Sequence, residues 1–138
     1  SMDTFFDILE VLGCAPKDFF EDGPEEALTV YGPEDMTVME DPKHKTIVTW
    51  LNPDSNEHEM EPVILEFKPQ GEYKVFQPSL SETFGYVLEG KVQVKVGKQI
   101  EVVSKGESFY FEASAKHQIK NAGNETSKVL IVATNSYL

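Results

Sequence analysis

The chain has 138 residues, 40% hydrophobic and 11% aromatic, enough for one domain with a real core. Its formal net charge of −12 comes without a basic stripe, which excludes direct binding to a nucleic-acid backbone, since that contact needs clustered Lys and Arg. No apolar run is long enough to cross a bilayer, no signal peptide is visible, and the single cysteine, Cys14, cannot close an internal disulfide, so a cytoplasmic setting is expected.

From the start of the chain, Phe5, Phe6, Ile8, Leu9 and Leu12 recur at three- and four-residue steps, which predicts an amphipathic helix. Ser1 or Asp3 suits its N-cap, and Gly13 suits its end. Pro16 then opens a second short helix through Phe20. Cys14, between the two apolar segments, reads as a small buried hydrophobe. Neither helix can bury its apolar face alone.

Residues 23–61 read as a linker with additional strands. Runs rich in β-branched and aromatic residues occur at LTVY, MTVM and TIVTWLN, separated by Gly-Pro and Asp-Pro turns. The acidic stretches EDGPEE and DSNEHEMEP read as solvated loops. His44 and His58 sit in charged turns with no metal-ligand spacing.

Residues 62–138 carry short, regularly spaced strands: VILEF, FGYVLEG, KVQVKV, QIEVV, SFYFEA, HQIKN and KVLIVAT. KVQVKV alternates apolar and polar residues, as a half-buried antiparallel strand does. Many short strands with few helices predict an all-β fold, a sandwich or a closed barrel that hides its sheet edges.

Within this region, Gly71, Gly90, Gly106, His117 and Asn121 stand at the spacing of the two-part signature of the cupin superfamily, which the segment resembles. The resemblance implies a small jelly-roll barrel over 62–138, preceded by two short α-helices. It also implies where a metal would bind. The two histidines of the first motif fall on Gln77 and Ser79, and its glutamate falls on Thr83. Only His117 of the four usual ligands remains. Gln, Ser and Thr are poor transition-metal ligands, so no metal and no other cofactor is expected, and His117 reads as a hydrogen-bonded barrel histidine. Glu82 is one residue off the ligand register and on a strand would face the other way. A bulge would bring it back, which leaves Glu82 with His117 as a weak alternative metal site.

Strand parity then selects the lumen. Thr83 shares a face with Gly85 and Val87, and His117 with Ile119 and Asn121. Gln77 and Ser79 are expected on the facing strand. Gln77, Ser79, Thr83, His117 and Asn121 are thus the candidate residues for a small polar effector. They supply no nucleophile–base pair and no carboxylate dyad, so catalysis is not expected. Phe84, Tyr86 and Leu88 face outward, as outer-sheet packing or as a subunit interface.

The opening stretch MDTFFDILEVLGCAPKDFFED resembles the end of an XRE-type helix-turn-helix domain through Phe5, Ile8, Leu12, Gly13, Phe19 and Phe20. That resemblance implies that residues 1–22 are the terminal helices of a DNA-binding domain whose recognition helix lies upstream. The expected function is the effector-sensing and dimerisation half of a homodimeric transcription regulator, touching DNA only through those upstream helices and no membrane. An ordinary helical hairpin packed on the barrel is the plainer reading of the same stretch. A barrel that serves only dimerisation, or a free-standing cupin isomerase or dioxygenase with a degenerate metal site, is the alternative function.

Overall fold

The computed structural model describes residues 29–53, 57–135 and 138. The two helices expected over 1–22, with Cys14, lie outside the described residues. The chain divides after Val30, and every element named below belongs to the unit Tyr31–Leu138.

Among the described residues a 3₁₀ turn, Pro33–Asp35, precedes the strands. The Asp35 carboxylate accepts the Gly32 N–H at 2.9 Å and closes it. Nine strands follow among the described residues: β1 Thr37–Asp41, β2 Thr46–Trp50, β3 Met60–Phe67, β4 Glu82–Glu89, β5 Lys91–Val96, β6 Gln99–Ser104, β7 Ser108–Glu112, β8 His117–Asn121 and β9 Ser127–Thr134. They form a six-stranded sheet in the order β1-β2-β3-β9-β4-β7 and a three-stranded sheet in the order β6-β5-β8. All pairings are antiparallel. The expected all-β architecture is what the structure shows.

Alternation writes the core. In β3, β8 and β9 every second residue is buried, and β4 and β5 follow the same alternation as far as Val87 and Val94, as a sheet with one face inward requires. Val63, Leu65, Phe67, Val87, Val129 and Ile131 of the large sheet are completely inaccessible, and Val92, Val94 and Ile119 of the small sheet pack in the same cluster. Each such side chain contributes about 1.5–3 kcal/mol of transfer free energy. Gly90 joins β4 to β5 with φ of +67°, and a Cβ there would lie 2.9 Å from the Thr126 carbonyl. Both the backbone angle and the close approach call for glycine.

Two expectations need correction. LTVY is not a strand where it is described: Thr29, Val30 and Tyr31 are irregular. Among the described residues no strand pairs with it, and β propensity without a partner is weak. Gln77 and Ser79 do not sit on a strand either. Residues 68–81 form only isolated bridges, Glu72 to Lys120 and Phe76 to His117. Tyr73 N–H donates to Ile119 O at 3.0 Å and Phe76 N–H to His117 O at 2.9 Å. Three residues on this segment therefore match two on β8, a bulge-like mismatch that breaks side-chain parity.

Pro62 lies inside β3, where a proline removes a ladder donor. Leu51 N–H donates to Pro62 O at 3.3 Å, so the ring nitrogen faces the same side. There β2 has already ended, because its last partner pair is Trp50 with Val63. The proline sits where the ladder no longer needs its N–H.

Candidate functional site: the barrel lumen

One inward-facing row crosses the large sheet. Its members are Glu61 on β3, Ala133 on β9, Thr83 on β4 and Phe111 on β7, paired in that order. The next row holds Val63, Ile131, Gly85 and Phe109. From the opposite side come His117 on β8 and the irregular segment with Tyr73 and Phe76. Thr83 is fully buried and His117 is 2% exposed, as parity predicts.

Aromatic rings dominate the space between these rows. His117 stacks on Phe76 with ring centres 5.0 Å apart and planes 13° apart, and meets Phe111 edge-on at 5.0 Å. Phe109 stacks beside Phe111 at 6.2 Å. The Phe109 ring lies over Gly85, where a Cβ would come within 2.0 Å of its tip. Glycine at 85 is what lets the ring reach inward.

His117 Nδ1 lies 3.2 Å from the Ala115 carbonyl. A carbonyl only accepts, so Nδ1 carries the proton of that bond and Nε2 keeps the lone pair of the neutral ring. Burial lowers the His117 pKa below its ordinary value, and the bond to Ala115 offsets this in part. The ring is held neutral among apolar neighbours.

The remaining sequence candidates separate. Gln77 is exposed and Ser79 half-buried. Ser79 Oγ accepts the Ser81 N–H at 3.2 Å, a local turn contact. Phe76, not Gln77, is the residue set against His117. Asn121 works as a clamp. Its Nδ2 donates to Phe67 O at 3.3 Å, Lys68 O at 3.0 Å and Glu125 O at 2.7 Å, while its Oδ1 accepts the Gly123 N–H at 2.9 Å. It ties the end of β8 to the end of β3 and to the β8–β9 turn.

The metal positions of the sequence motif do not fit a metal. Of their residues only Thr83 and His117 are buried together, and one imidazole with one hydroxyl is a poor donor set. Glu82 stays on the outer face, exposed, where its carboxylate accepts a hydrogen bond from Tyr110 and raises that phenol's pKa. The irregularity in β4 falls between Val87 and Glu89, too far along to turn Glu82 inward. Among the described residues no three His, Cys, Asp or Glu side chains converge.

Sequence reasoning missed a second polar pair. Glu61 is 5% exposed and Tyr73 7%, and both reach Leu138. The Leu138 N–H donates to Glu61 Oε1 at 2.8 Å, and the Tyr73 hydroxyl donates to Leu138 O at 2.7 Å. The Leu138 side chain belongs to the core cluster. A signal was present: Glu61 shares parity with Val63, Leu65 and Phe67, which puts a carboxylate on an apolar face.

On the outer face of the same sheet, Pro62, Val132, Phe84 and Tyr110 form one row, and Ile64, Leu130 and Tyr86 the next. Phe84, Tyr86 and Tyr110 are 36%, 40% and 61% exposed. A hollow of about 420 Å³ beside them is bounded by Tyr31, Asn52, His58, Met60, Pro62 and Val132. Among the described residues no helix is long and apolar enough to cross a membrane.

Comparison with known proteins agrees with this architecture. No curated protein matches the sequence. Among solved structures, a predicted oxalate decarboxylase from Thermotoga maritima superposes with a TM-score of 0.65 at 14% identity, over 77% of this chain and 98% of its own. The cupin domain of an XRE family transcriptional regulator from Enterobacter cloacae gives 0.59 at 12%, over 65% and 96%. An HTH_3 family transcriptional regulator from Vibrio cholerae gives 0.58 at 17%, over 97% and 71%. At such identities these likenesses establish the fold alone, which enzymes and regulators share. The family model for the cupin domain matches residues 63–133, and with the jelly-roll barrel just described it establishes that the chain belongs to the cupin family.

Proposed function

We propose that this chain is the effector-responsive and dimerising half of a helix-turn-helix transcription regulator. The observation that carries the reading is the chemistry of the lumen. Where a metal cupin gathers its ligands, this barrel presents Thr83 and a neutral His117 among Phe76, Phe109 and Phe111. Such an aromatic-lined surface suits recognition of a small organic molecule.

Two further observations support the regulatory setting. The likeness to the Vibrio cholerae regulator extends over 97% of the chain, beyond the barrel itself. The opening stretch through Phe19 and Phe20 resembles the end of an XRE-type DNA-binding domain. The apolar outer rows through Phe84, Tyr86 and Tyr110 offer a face for a second copy, and a two-fold reader needs two copies to match two half-sites. The enzyme alternative draws on the Thermotoga maritima likeness, and the donor set gives it no support.

The test begins with the coding sequence upstream of Ser1, which should encode a helix-turn-helix. A gel-shift then compares the longer protein with the 138-residue chain. The longer protein should bind a pseudo-palindromic operator as a dimer, and the shorter one should not bind. Binding by the 138-residue chain alone at moderate salt, or an upstream sequence with no such motif, overturns the reading.

A further inference from the structure

We propose that copies of this chain associate head to tail by strand addition, the bare edge of β1 in one copy pairing antiparallel with the bare edge of β6 in the next. The inference goes beyond the regulatory reading and does not depend on it, because the contact needs only the barrel.

Among the described residues β1 ends the large sheet and β6 ends the small one. The hydrogen bonds tell which main-chain groups each edge offers. Lys68 N–H donates to Lys45 O at 2.9 Å and Leu51 N–H to Pro62 O at 3.3 Å, so Lys45, Ile47, Thr49 and Leu51 turn their backbone groups toward β3. The alternate residues of β2 face β1 and meet Thr37, Met39 and Asp41. The N–H and C=O groups of Val38 and Glu40 therefore point outward. In the small sheet Lys105 N–H donates to Gly90 O at 2.9 Å, while Ser104 N–H turns away to Glu107 Oε1 at 2.8 Å. By the same alternation Ile100 and Val102 present their N–H and C=O groups at the edge of β6.

The two edges match in register and in charge. With Val38 of one copy set opposite Ile100 of the next, Glu40 falls opposite Lys98. Val38 and Ile100 are each more than half exposed. Both lie on the outer face, since their strand neighbours Met39 and Glu101 pair with the buried Val48 and Val94. The pairing thus covers two apolar side chains and joins two opposite charges. Glu34 and Asp35 precede β1 and Lys105 follows β6, so the signs agree at the other end as well. Like edges do not fit: β6 against β6 brings Lys98 beside Lys105, and β1 against β1 brings acids beside acids. A bare edge is a template for another strand, and here the chain carries the complementary strand itself. The contact is short, below the area of a stable complex, so it gains strength where copies are already held side by side. It is also heterologous, so each added copy offers a new edge and the assembly grows.

The test is sedimentation equilibrium of the 138-residue chain up to about 1 mM, the range a contact of this size calls for. The weight-average mass should keep rising with concentration, past that of a dimer. Val38→Pro and Ile100→Pro each delete one outward N–H on an edge strand, where proline is tolerated. Each should hold the mass at or below that of a dimer. An equimolar mixture of the two should exceed either alone, because one keeps an intact β6 edge and the other an intact β1 edge. Glu40→Lys should weaken association about fivefold, and adding Lys98→Glu in the same chain should restore it. Circular dichroism checks that each variant keeps its strands. If a proline variant unfolds, the charge exchange decides. A wild-type mass that stays at or below a dimer across the range overturns the proposal. So does a rise that Glu40→Lys leaves intact, which assigns the growth to another face, such as the outer rows through Phe84 and Tyr110. Neither failure touches the gel-shift test of the regulator.

Discussion

The clamp at Asn121 can be broken by exchanging one atom. In Asn121→Asp the Nδ2 that faces three carbonyls becomes an oxygen, while Oδ1 keeps the Gly123 N–H. The Phe67 carbonyl loses its donor in a fully buried contact, which costs about 1–3 kcal/mol. The contacts to Lys68 O and Glu125 O are half-buried, so water replaces them in part, at about 0.5–1 kcal/mol each. A carboxylate set against three carbonyl oxygens adds repulsion that Asn121→Ala does not have. We expect a loss of about 3–4 kcal/mol for Asp and about 2–3 kcal/mol for Ala. With a urea slope of about 1.5 kcal/mol/M, the midpoint of the Asp variant falls by about 2 M. Acid should narrow the gap between the two variants, because a protonated carboxyl can again donate one bond. An Asp variant within about 1 kcal/mol of wild type, or an Ala variant less stable than the Asp one, refutes the clamp.

Three further outcomes follow from the lumen. Gly85→Ala should cost about 1–2 kcal/mol, because the Phe109 ring must move from 2.0 Å, and Phe109→Leu in the same chain should recover most of it in a double-mutant cycle. Burial keeps the folded His117 pKa below its ordinary 6.5. As pH falls through that value the unfolded chain takes up its proton first, so stability drops below about pH 6.5 and this histidine adds no slope above it. Urea melts between about pH 7.5 and 5.5 should therefore show a smaller loss for His117→Gln than for wild type, and equal losses refute the neutral ring. A chelator should leave the melting temperature unchanged and elemental analysis should find no stoichiometric transition metal, since Thr83 and His117 alone make a poor site. One tightly held metal per chain contradicts this.

The regular strands were legible in the sequence, and the reason is parity. KVQVKV, HQIKN and FGYVLEG announce their buried faces, and Thr83, His117 and Asn121 are buried as that alternation requires. Gln77 was misplaced because parity holds only along an unbroken strand. The extra residue between Tyr73 and Phe76 shifts every later side chain, and nothing in the spelling of EYKVFQ marks it. The Asn121 clamp was hidden for another reason. Its partners are backbone carbonyls, which every residue has, so composition cannot flag them. Glu61 and Leu138 are 77 positions apart, and only the folded topology makes them neighbours.

The strand order carries a consequence for synthesis. β9 is the last of the described strands, yet it lies inside the large sheet, between β3 and β4. A nascent chain that has not yet released residues 127–134 holds both flanking strands with bare inner edges. Those strands carry Leu65, Phe67 and Val87, which are among the fully buried residues of the finished barrel. Translation at about 5–20 residues per second makes this a lasting state on the scale of strand pairing. Pairing of β9 with β3 on one side and β4 on the other is what joins the two halves of the large sheet. A ribosome stalled before Ser127 would leave the edges of β3 and β4 unpaired, and unpaired strand edges favour aggregation.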